Sequence, residues 1–331
     1  MNKTKIQEYI QHVNAEMHSK LLDVYTTPTE LYDPVKYILS NGGKRIRAVM
    51  TMVASSIFSE DQTQTIAAAI GLEVFHNFTL LHDDIMDKAL IRRGNPTVHI
   101  KWDENTAILS GDAMMVLANI MISQTPSSVL LPVFTTFNKT AIEVCEGQQL
   151  DMNLERRDLN TKITEDEYLE MIRLKTSVLI GASLKIGALC GGATIEQADA
   201  LYNYGIQIGL AFQIQDDLLD TYGNEAEFGK RIGGDILEGK KTYLLIKAFE
   251  RASAEDKQLL IENCKKTGIP ADKKIALIKD IYTRTDIQKI TQQKIDSYFE
   301  KASDYLHTLN VDPSKLTTLI ELEHMLSKRN K

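Results

Sequence analysis

A long stretch without proline constrains the fold of this chain more than any other feature. No proline lies between Pro132 and Pro270, so helices can run through the middle of the chain with their backbone hydrogen bonds intact. Apolar residues recur there at intervals of three and four, as in residues 166–192 (DEYLEMIRLKTSVLIGASLKIGALCGG). The sequence has no series of short alternating β-branched runs joined by turns, which would indicate strands. These patterns predict an all-α protein.

Short polar segments separate the helical stretches. They fall at residues 26–34, 40–45, 92–97, 123–128 and 222–241. Their Gly, Pro, Asn and Ser residues are typical of loops, and none of them resembles a long linker between domains. We therefore expect one domain over residues 1–331. Gly205 and Gly209 would share one helix face, where they favour the close approach of a second helix over a hinge.

Charge and cysteine content narrow the classes of partner and compartment. The formal net charge of −7 makes a general nucleic-acid surface unsuitable, because such a surface needs a basic stripe. The three cysteines are far apart and odd in number, which is typical of a reducing compartment. The N-terminus lacks the apolar core of a signal peptide, and about 18 uncharged apolar residues never follow one another. We expect a soluble cytoplasmic protein with no membrane span and no nucleic-acid partner.

Two aspartate clusters with identical spacing give the strongest indication of function. The candidate metal ligands are Asp83, Asp84 and Asp87 in LLHDDIMD (80–87), and Asp216, Asp217 and Asp220 in FQIQDDLLD (212–220). On a helix, the first and last aspartate of each cluster point about 40° apart and share a face. Mg²⁺ usually takes one or two protein carboxylates and completes its shell with phosphate oxygens and water. The clusters therefore predict a magnesium site and a phosphorylated ligand.

A solvated helix end is the alternative explanation for each cluster. The residues before both clusters are apolar, as in FTLL and LAFQIQ, which places the acids where helices are partly buried. Unpaired carboxylates are costly in such places, and a metal ion relieves that cost.

Basic residues also occur where a diphosphate would need them. GGKRIR contains Lys44, Arg45 and Arg47, and RRG contains Arg92 and Arg93, whose guanidinium groups match phosphate oxygens.

Together, these motifs resemble those of the trans-isoprenyl diphosphate synthases, or polyprenyl synthetases. The matching segments, in order, are GGKRIR, LLHDDIMDKALIRRG, LSGD, EGQQLDM, LKTS, FQIQDDLLD and GKRIGGDILEGKKTY, and they cover nearly the whole chain. The resemblance implies an all-α bundle around a deep central cavity, usually a homodimer. It also implies a short-chain prenyltransferase that couples an allylic diphosphate (dimethylallyl, geranyl or farnesyl) to isopentenyl diphosphate, head to tail.

The resemblance further implies roles for individual residues. Asp83, Asp87 and Asp216 would bind Mg²⁺, about three ions per active site, with Asp84, Asp217 and Asp220 in support. The allylic diphosphate would be held by Arg92, Lys175, Lys230 and Lys240. The isopentenyl diphosphate would be held by Lys44, Arg47, His76 and Arg93. Thr176 and Gln213 would aim oxygen dipoles at cationic carbons, and Gln148 and Asp151 would support the cavity. Asp235 is expected in the outer shell of the metal site. A basic tail (Lys328, Arg329 and Lys331) would close over the isopentenyl diphosphate, with a solvated chain end as the alternative.

Product length should depend on the residues below the first cluster. Phe78 and Thr79 precede Asp83 by five and four residues, which places them one to one and a half turns deeper along a helix. In the family, one aromatic residue here resembles the twenty-carbon type, and two adjacent aromatics accompany fifteen-carbon products. We expect geranylgeranyl diphosphate, with farnesyl diphosphate as the alternative. Ordinary core packing of Phe78 is the other possibility, and His82 is expected to pack beside the cluster.

Three other functions fit parts of the sequence. A terpene cyclase shares the metal chemistry, but its second motif normally mixes Asn, Ser or Thr with Glu. A di-iron carboxylate bundle would use Glu73-x-x-His76 and Glu321-x-x-His324, yet it requires two further glutamates and leaves the aspartate clusters unexplained. A non-catalytic partner subunit of another synthase would tolerate loss of metal ligands, whereas all six aspartates are present here.

Overall fold

The computed structural model describes residues 4–223, 232–264 and 268–327. Its α-helices are α1 (Lys5–Met17), α2 (Thr29–Ser40), α3 (Ile46–Ser56), α4 (Ile66–Met86), α5 (Val98–Lys101), α6 (Glu104–Ile122), α7 (Leu130–Arg156), α8 (Glu165–Ile172), α9 (Val178–Cys190), α10 (Ile195–Tyr222), α11 (Gly234–Glu238), α12 (Tyr243–Arg251), α13 (Ala254–Cys264), α14 (Ala271–Arg284), α15 (Ile287–His307) and α16 (Thr317–Ser327). The predicted all-α class is confirmed.

Four local departures from regular α-helix were not predicted. The first is a hairpin in the RRGNPT segment, where β1 (Ile91–Arg92) pairs antiparallel with β2 (Asn95–Pro96). The second is a π-helical turn, Arg173–Ser177, between α8 and α9. A π turn is a single-turn feature inside a longer helical segment, too short for apolar periodicity to reveal it. Similar turns occur at His18–Leu22 (π) and Pro313–Leu316 (3₁₀).

Contacts divide the chain into two compact units. The first consists of Met1–Lys139, Ala182–Tyr202 and Asn310–Leu319. Its core is organised around α4, which buries Ile70, Leu72 and Phe75. A Cβ atom added to Gly71 would lie 3.0 Å from the backbone oxygen of Ala118, so glycine lets α4 and α6 approach closely. This unit carries the first aspartate cluster at the end of α4.

The second unit consists of Thr140–Gly181, Asn203–Leu309 and Ile320–Lys331. Its centre is the π turn. A Cβ on Gly209 of α10 would lie 2.6 Å from Cα of Ser177, and one on Gly147 of α7 would lie 2.2 Å from the backbone nitrogen of Lys175. The close helix approach expected at Gly209 is confirmed. Two glycines therefore let helices pack directly against the backbone of the π turn.

Helix α6 is the one helix among the described residues that has the length and composition of a membrane span. Its mean hydropathy is 1.3, and 44% of the window is buried inside the protein. A buried core helix of a soluble protein has the same features, so this is weak evidence for a span.

All three cysteines are free thiols, as their spacing predicted.

Candidate active site

The first aspartate cluster lies at the C-terminal end of α4. Asp83 and Asp84 belong to the helix, and Asp87 caps it. Asp84 is buried, whereas Asp87 is exposed. The hairpin brings Arg92 to the cluster, where its Nε and Nη2 both lie 2.7 Å from Oδ1 of Asp84, and Nη2 lies 4.0 Å from Oδ2 of Asp83. Burial raises the pKa of Asp84, and the charge of Arg92 opposes that shift.

The glycine-rich loop before α3 receives the second arginine of the hairpin. Arg93, which has a positive φ of 52°, donates a hydrogen bond from Nη1 to the Gly42 backbone oxygen at 2.6 Å. A Cβ on Gly43 would lie 2.8 Å from the same Nη1, and the φ of +121° at Gly43 is in the region that favours glycine. Arg93 of the RRG motif therefore contacts the loop that carries the GGKRIR motif.

Arg45 has a structural role that the sequence did not distinguish from that of its neighbours. Its side chain is buried, with hydrogen bonds to Asn14 Oδ1 at 2.9 Å and to the backbone oxygen of Leu39, and it forms an ion pair with Glu73 at 3.5 Å. Lys44, in contrast, is exposed. The loop is thus anchored through Arg45, while Lys44 lies at the protein surface.

His76 on α4 lies in a strongly positive environment. Burial lowers its pKa well below the usual value, and the charges of Arg47, Arg93, Arg92 and Arg45 lower it further. The imidazole is therefore neutral at physiological pH. A neutral imidazole can donate one hydrogen bond to a phosphate oxygen without adding to the repulsion among the arginines.

The second aspartate cluster lines a cleft inside the second unit. The cleft encloses about 840 Å³, including the space at its open mouth. Its polar lining consists of Asp151, Glu155, Tyr168, Lys175, Thr176, Gln213, Asp216, Asp217, Asp220, Asp235, Lys240, Lys241 and Thr242. All of the predicted catalytic residues and the three aspartates of this cluster are therefore brought together here.

Hydrogen bonds connect the predicted catalytic residues in this cleft. Lys175 Nζ lies 2.5 Å from Oδ2 of Asp151. The hydroxyl of Thr176 donates to Oε1 of Gln213 at 3.3 Å, and Nε2 of Gln213 donates to Oδ1 of Asp217 at 3.4 Å. The π turn supplies both Lys175 and Thr176, so this backbone irregularity positions two of the three predicted catalytic side chains.

The sequence analysis missed Tyr168. This residue is buried on α8, and its hydroxyl donates to Oδ2 of Asp217 at 2.5 Å. Its ring packs against that of Tyr243, with a centroid distance of 6.2 Å. Tyrosine in an apolar helix pattern ordinarily indicates core, and Tyr168 precedes Asp217 by 49 residues, so no local signal marks the pair. Tyr168 and Gln213 together fix the carboxyl group of Asp217.

The cleft carries an excess of negative charge. Burial, and then the charge of Asp235, raise the pKa of Asp217 well above its usual value and that of Asp220 to about 6. Asp235 itself has a raised pKa because it is buried. Burial alone would lower the pKa of Lys240. The carboxylates of Asp235 at 3.3 Å and Glu238 at 3.1 Å have the larger combined effect and raise that pKa. The six carboxyl groups that line the cleft outnumber its three ammonium groups, those of Lys175, Lys240 and Lys241, which suits a site for a hard cation.

The carboxylates of the cleft suit a Mg²⁺ ion that also binds phosphate oxygens of a ligand. Within residues 4–223, 232–264 and 268–327, no three carboxylate, imidazole or thiol side chains converge closely enough to hold a metal ion alone. Mg²⁺ needs only one or two protein carboxylates when phosphate oxygens and water fill its octahedron. Carboxylate oxygens spread over a cleft therefore suit Mg²⁺ better than they suit an ion that needs all of its ligands from the protein.

Lys230 and the basic tail residues Lys328, Arg329 and Lys331 lie outside the described residues. The two aspartate clusters belong to different compact units. For the di-iron alternative, Glu321 and His324 are exposed on α16, and Glu73 is paired with Arg45. The first Glu-x-x-His pair is therefore inward-facing but has its carboxylate paired with an arginine, and the second pair faces solvent.

Comparison with known proteins defines the class. The family model described as polyprenyl synthetase matches residues 28–282, and the chain belongs to this family. It is 39% identical to the geranylgeranyl diphosphate synthase of Methanosarcina mazei over 98% of this chain and 97% of that protein. It is 38% identical to the geranylfarnesyl diphosphate synthase of Natronomonas pharaonis over 68% and 70%. A crystal structure of a geranylgeranyl pyrophosphate synthase superposes with a TM-score of 0.92, at 40% identity, over 99% and 100% of the two chains.

These similarities confirm the predicted fold and enzyme class. The chain has the all-α isoprenoid synthase fold and is a short-chain trans-prenyltransferase. The family uses Mg²⁺, in agreement with the carboxylates found in the cleft of the second unit.

Proposed function

We propose that this enzyme joins isopentenyl diphosphate to an allylic diphosphate, head to tail, and releases geranylgeranyl diphosphate. The observation that carries the proposal is the cleft of the second unit, where Lys175, Thr176 and Gln213 meet a complete aspartate cluster. The names of the similar enzymes support the substrates and a twenty-carbon product. We further propose that residues 1–331 act as one polyprenyl synthetase domain.

The proposed reaction follows from the charges of these residues. The bond between the allylic carbon and the diphosphate oxygen breaks, and its electron pair leaves with the diphosphate. Arg92, Lys175, Lys230 and Lys240 hold that diphosphate, while oxygen atoms of Thr176 and Gln213 face the cationic carbon. The double bond of isopentenyl diphosphate then forms the new carbon–carbon bond, and the released diphosphate accepts the proton that is lost.

The two aspartate clusters are proposed as the magnesium ligands. Asp83, Asp87 and Asp216 would bind about three Mg²⁺, which supply positive charge to the leaving diphosphate when bound. Asp84 accepts a hydrogen bond from Arg92, and Asp217 accepts one from Tyr168. We therefore assign these two aspartates to the support of the metal site and not to direct metal binding. Lys44, Arg47, His76 and Arg93 are proposed to hold isopentenyl diphosphate. The neutral imidazole of His76, with four arginines near it, supports that assignment.

A direct assay tests the function. Purified protein is incubated with Mg²⁺, labelled isopentenyl diphosphate and, separately, dimethylallyl, geranyl or farnesyl diphosphate, and the dephosphorylated products are separated by chromatography. A twenty-carbon product is expected. No elongation of any primer by the folded protein would instead support a partner subunit without activity of its own. Cyclic products from geranylgeranyl diphosphate alone would identify a terpene cyclase.

Phe78 is proposed as the residue that limits product length. The half-buried ring lies on α4, five residues before Asp83. Phe78→Ala removes the ring and should move the main product from twenty to twenty-five or more carbons, because the growing apolar tail gains room. Chromatography of the products measures the change. Phe58→Ala, at a half-buried phenylalanine after α3, should keep the native product. An unchanged profile for Phe78→Ala would place the limit elsewhere.

We also propose a cytoplasmic homodimer. The family resemblance supports the dimer, as does an exposed apolar face on α6. Leu109 and Val116, seven residues apart and each 59% exposed, lie on one side of that helix. Three free thiols support a reducing compartment. Sedimentation equilibrium should give twice the chain mass of 37.2 kDa, and a monomer that retains activity would contradict this assignment.

A further inference from the structure

Four aromatic side chains form a continuous column in the first unit. The column consists of Phe137, Phe75, Phe78 and His82. The centroid distances are 5.4 Å between Phe137 and Phe75, 5.6 Å between Phe75 and Phe78, and 4.8 Å between Phe78 and His82. Three of these residues are three or four positions apart on α4 and therefore lie on one helix face. The proposed limiting residue, Phe78, has an aromatic ring on each side.

The His82 end of the column is fixed to α6. Its Nε2 lies 3.1 Å from the backbone oxygen of Ile108. A carbonyl only accepts, so Nε2 carries the hydrogen and donates it. A Cβ on Gly111 would lie 2.2 Å from the same Nε2, so the glycine provides the space that the imidazole occupies. The side chain next to Asp83 is therefore held by the backbone of α6.

The contact between His82 and Phe78 has a preferred aromatic geometry. The two rings are inclined at 67° to each other, an edge-to-face arrangement that aromatic pairs favour. Phe78 is only half-buried, so part of its ring lacks surrounding protein. Without the imidazole, the ring of Phe78 would lose the neighbour that limits its rotation on the side of the aspartate cluster.

We propose that His82 is a positioning residue for product length. Held by Ile108 and accommodated by Gly111, it keeps the ring of Phe78 across the path of the growing tail. This inference rests on the proposed function, in which Phe78 limits the length. It assigns to His82 and Gly111 a role in specificity that is separate from metal and diphosphate binding.

Two variants disturb the contact from opposite sides. His82→Ala removes the imidazole, and Gly111→Ala displaces it with a methyl group. Each should shift the product mixture from twenty carbons toward longer chains, with the rate of isopentenyl diphosphate incorporation within about threefold of the native rate. His82→Phe restores an aromatic edge and should return the product toward twenty carbons. His18→Ala, at an exposed histidine of the same unit, is the matched control.

The double variant Phe78→Ala/His82→Ala identifies the route of the effect. If His82 acts through Phe78, this variant gives the same product length as Phe78→Ala alone. Native or shorter products from folded His82→Ala and Gly111→Ala would overturn the proposal, even where Phe78→Ala lengthens the product. If Phe78→Ala has no effect, the proposal fails together with the assignment of the limiting residue. The synthase activity itself is tested separately by elongation in the native enzyme.

Discussion

Asp216→Asn should lower kcat by on the order of a hundredfold or more, the usual cost of losing one electrostatic contact to a developing charge. The substitution keeps the size of the side chain and removes the negative charge that would hold Mg²⁺ on the leaving diphosphate. The Mg²⁺ concentration for half-maximal activity should also rise. Initial rates measured over a range of Mg²⁺ concentrations provide both quantities.

Asp216 is the informative position because it is less buried than the other two aspartates of its cluster. Asp217 and Asp220 are buried, at 6% and 9% exposure. Asp217 accepts from Tyr168, and Oδ2 of Asp220 accepts from the backbone N–H of Asp235 at 2.9 Å. Replacing either of them would disturb the protein as well as the ligand site. Asp216 is only partly buried and lines the cleft, so its loss should leave the melting temperature nearly unchanged.

A control separates this effect from a general loss of negative charge. Asp304→Asn, at an exposed position on α15, makes the same chemical change away from the cleft and should retain native kcat. If Asp216→Asn keeps kcat within about threefold of the native value at low Mg²⁺, the assignment of Asp216 as a metal ligand is wrong.

The sequence was sufficient to predict the fold class and part of the lining of the cleft. Helical periodicity without proline gives the all-α class, because the apolar face of a helix has to be buried. The repeated DDxxD spacing marks both clusters, because the spacing of metal ligands is set by helix geometry. Lys175, Thr176 and Gln213 were predicted through the family motifs, and the structure brings them to the same cleft as Asp216.

The remaining features depend on contacts between distant parts of the chain. Tyr168 and Asp217 meet across two helices, and His82 meets Ile108 and Gly111 across two others. Each of these residues has an ordinary role in its own helix, so a local pattern cannot identify its partner. Arg45 illustrates the same limit, because only its burial beside Glu73 distinguishes it from the basic residues on either side.

Gly147→Ala should both destabilise the protein and reduce its activity. The added Cβ would lie 2.2 Å from the backbone nitrogen of Lys175 and 2.6 Å from its Cα. Backbone atoms cannot rotate away as a side chain can, so α7 or the π turn has to move. Overpacking of this kind costs about 1–3 kcal/mol in the free energy of unfolding, and sometimes more. Chemical denaturation measures that loss.

The loss of activity should exceed what the lower stability explains, because the displaced turn carries two predicted catalytic side chains. A shift of Lys175 and Thr176 alters the 2.5 Å contact with Asp151 and the 3.3 Å hydrogen bond to Gln213. A misplacement of about 1 Å in a catalytic group can lower the rate about a hundredfold. We therefore expect kcat to fall at least tenfold at temperatures where the variant is fully folded.

Gly191→Ala distinguishes displacement of the turn from general instability. Its Cβ would lie 2.6 Å from the backbone oxygen of Ser55 in the first unit, so it should also lower the free energy of unfolding. It does not touch the π turn, and its kcat well below the melting temperature should remain close to native. Equal losses of kcat in both variants would show that activity follows stability alone. A selective loss in Gly147→Ala would show that the packing of α7 against the π turn sets the positions of Lys175 and Thr176.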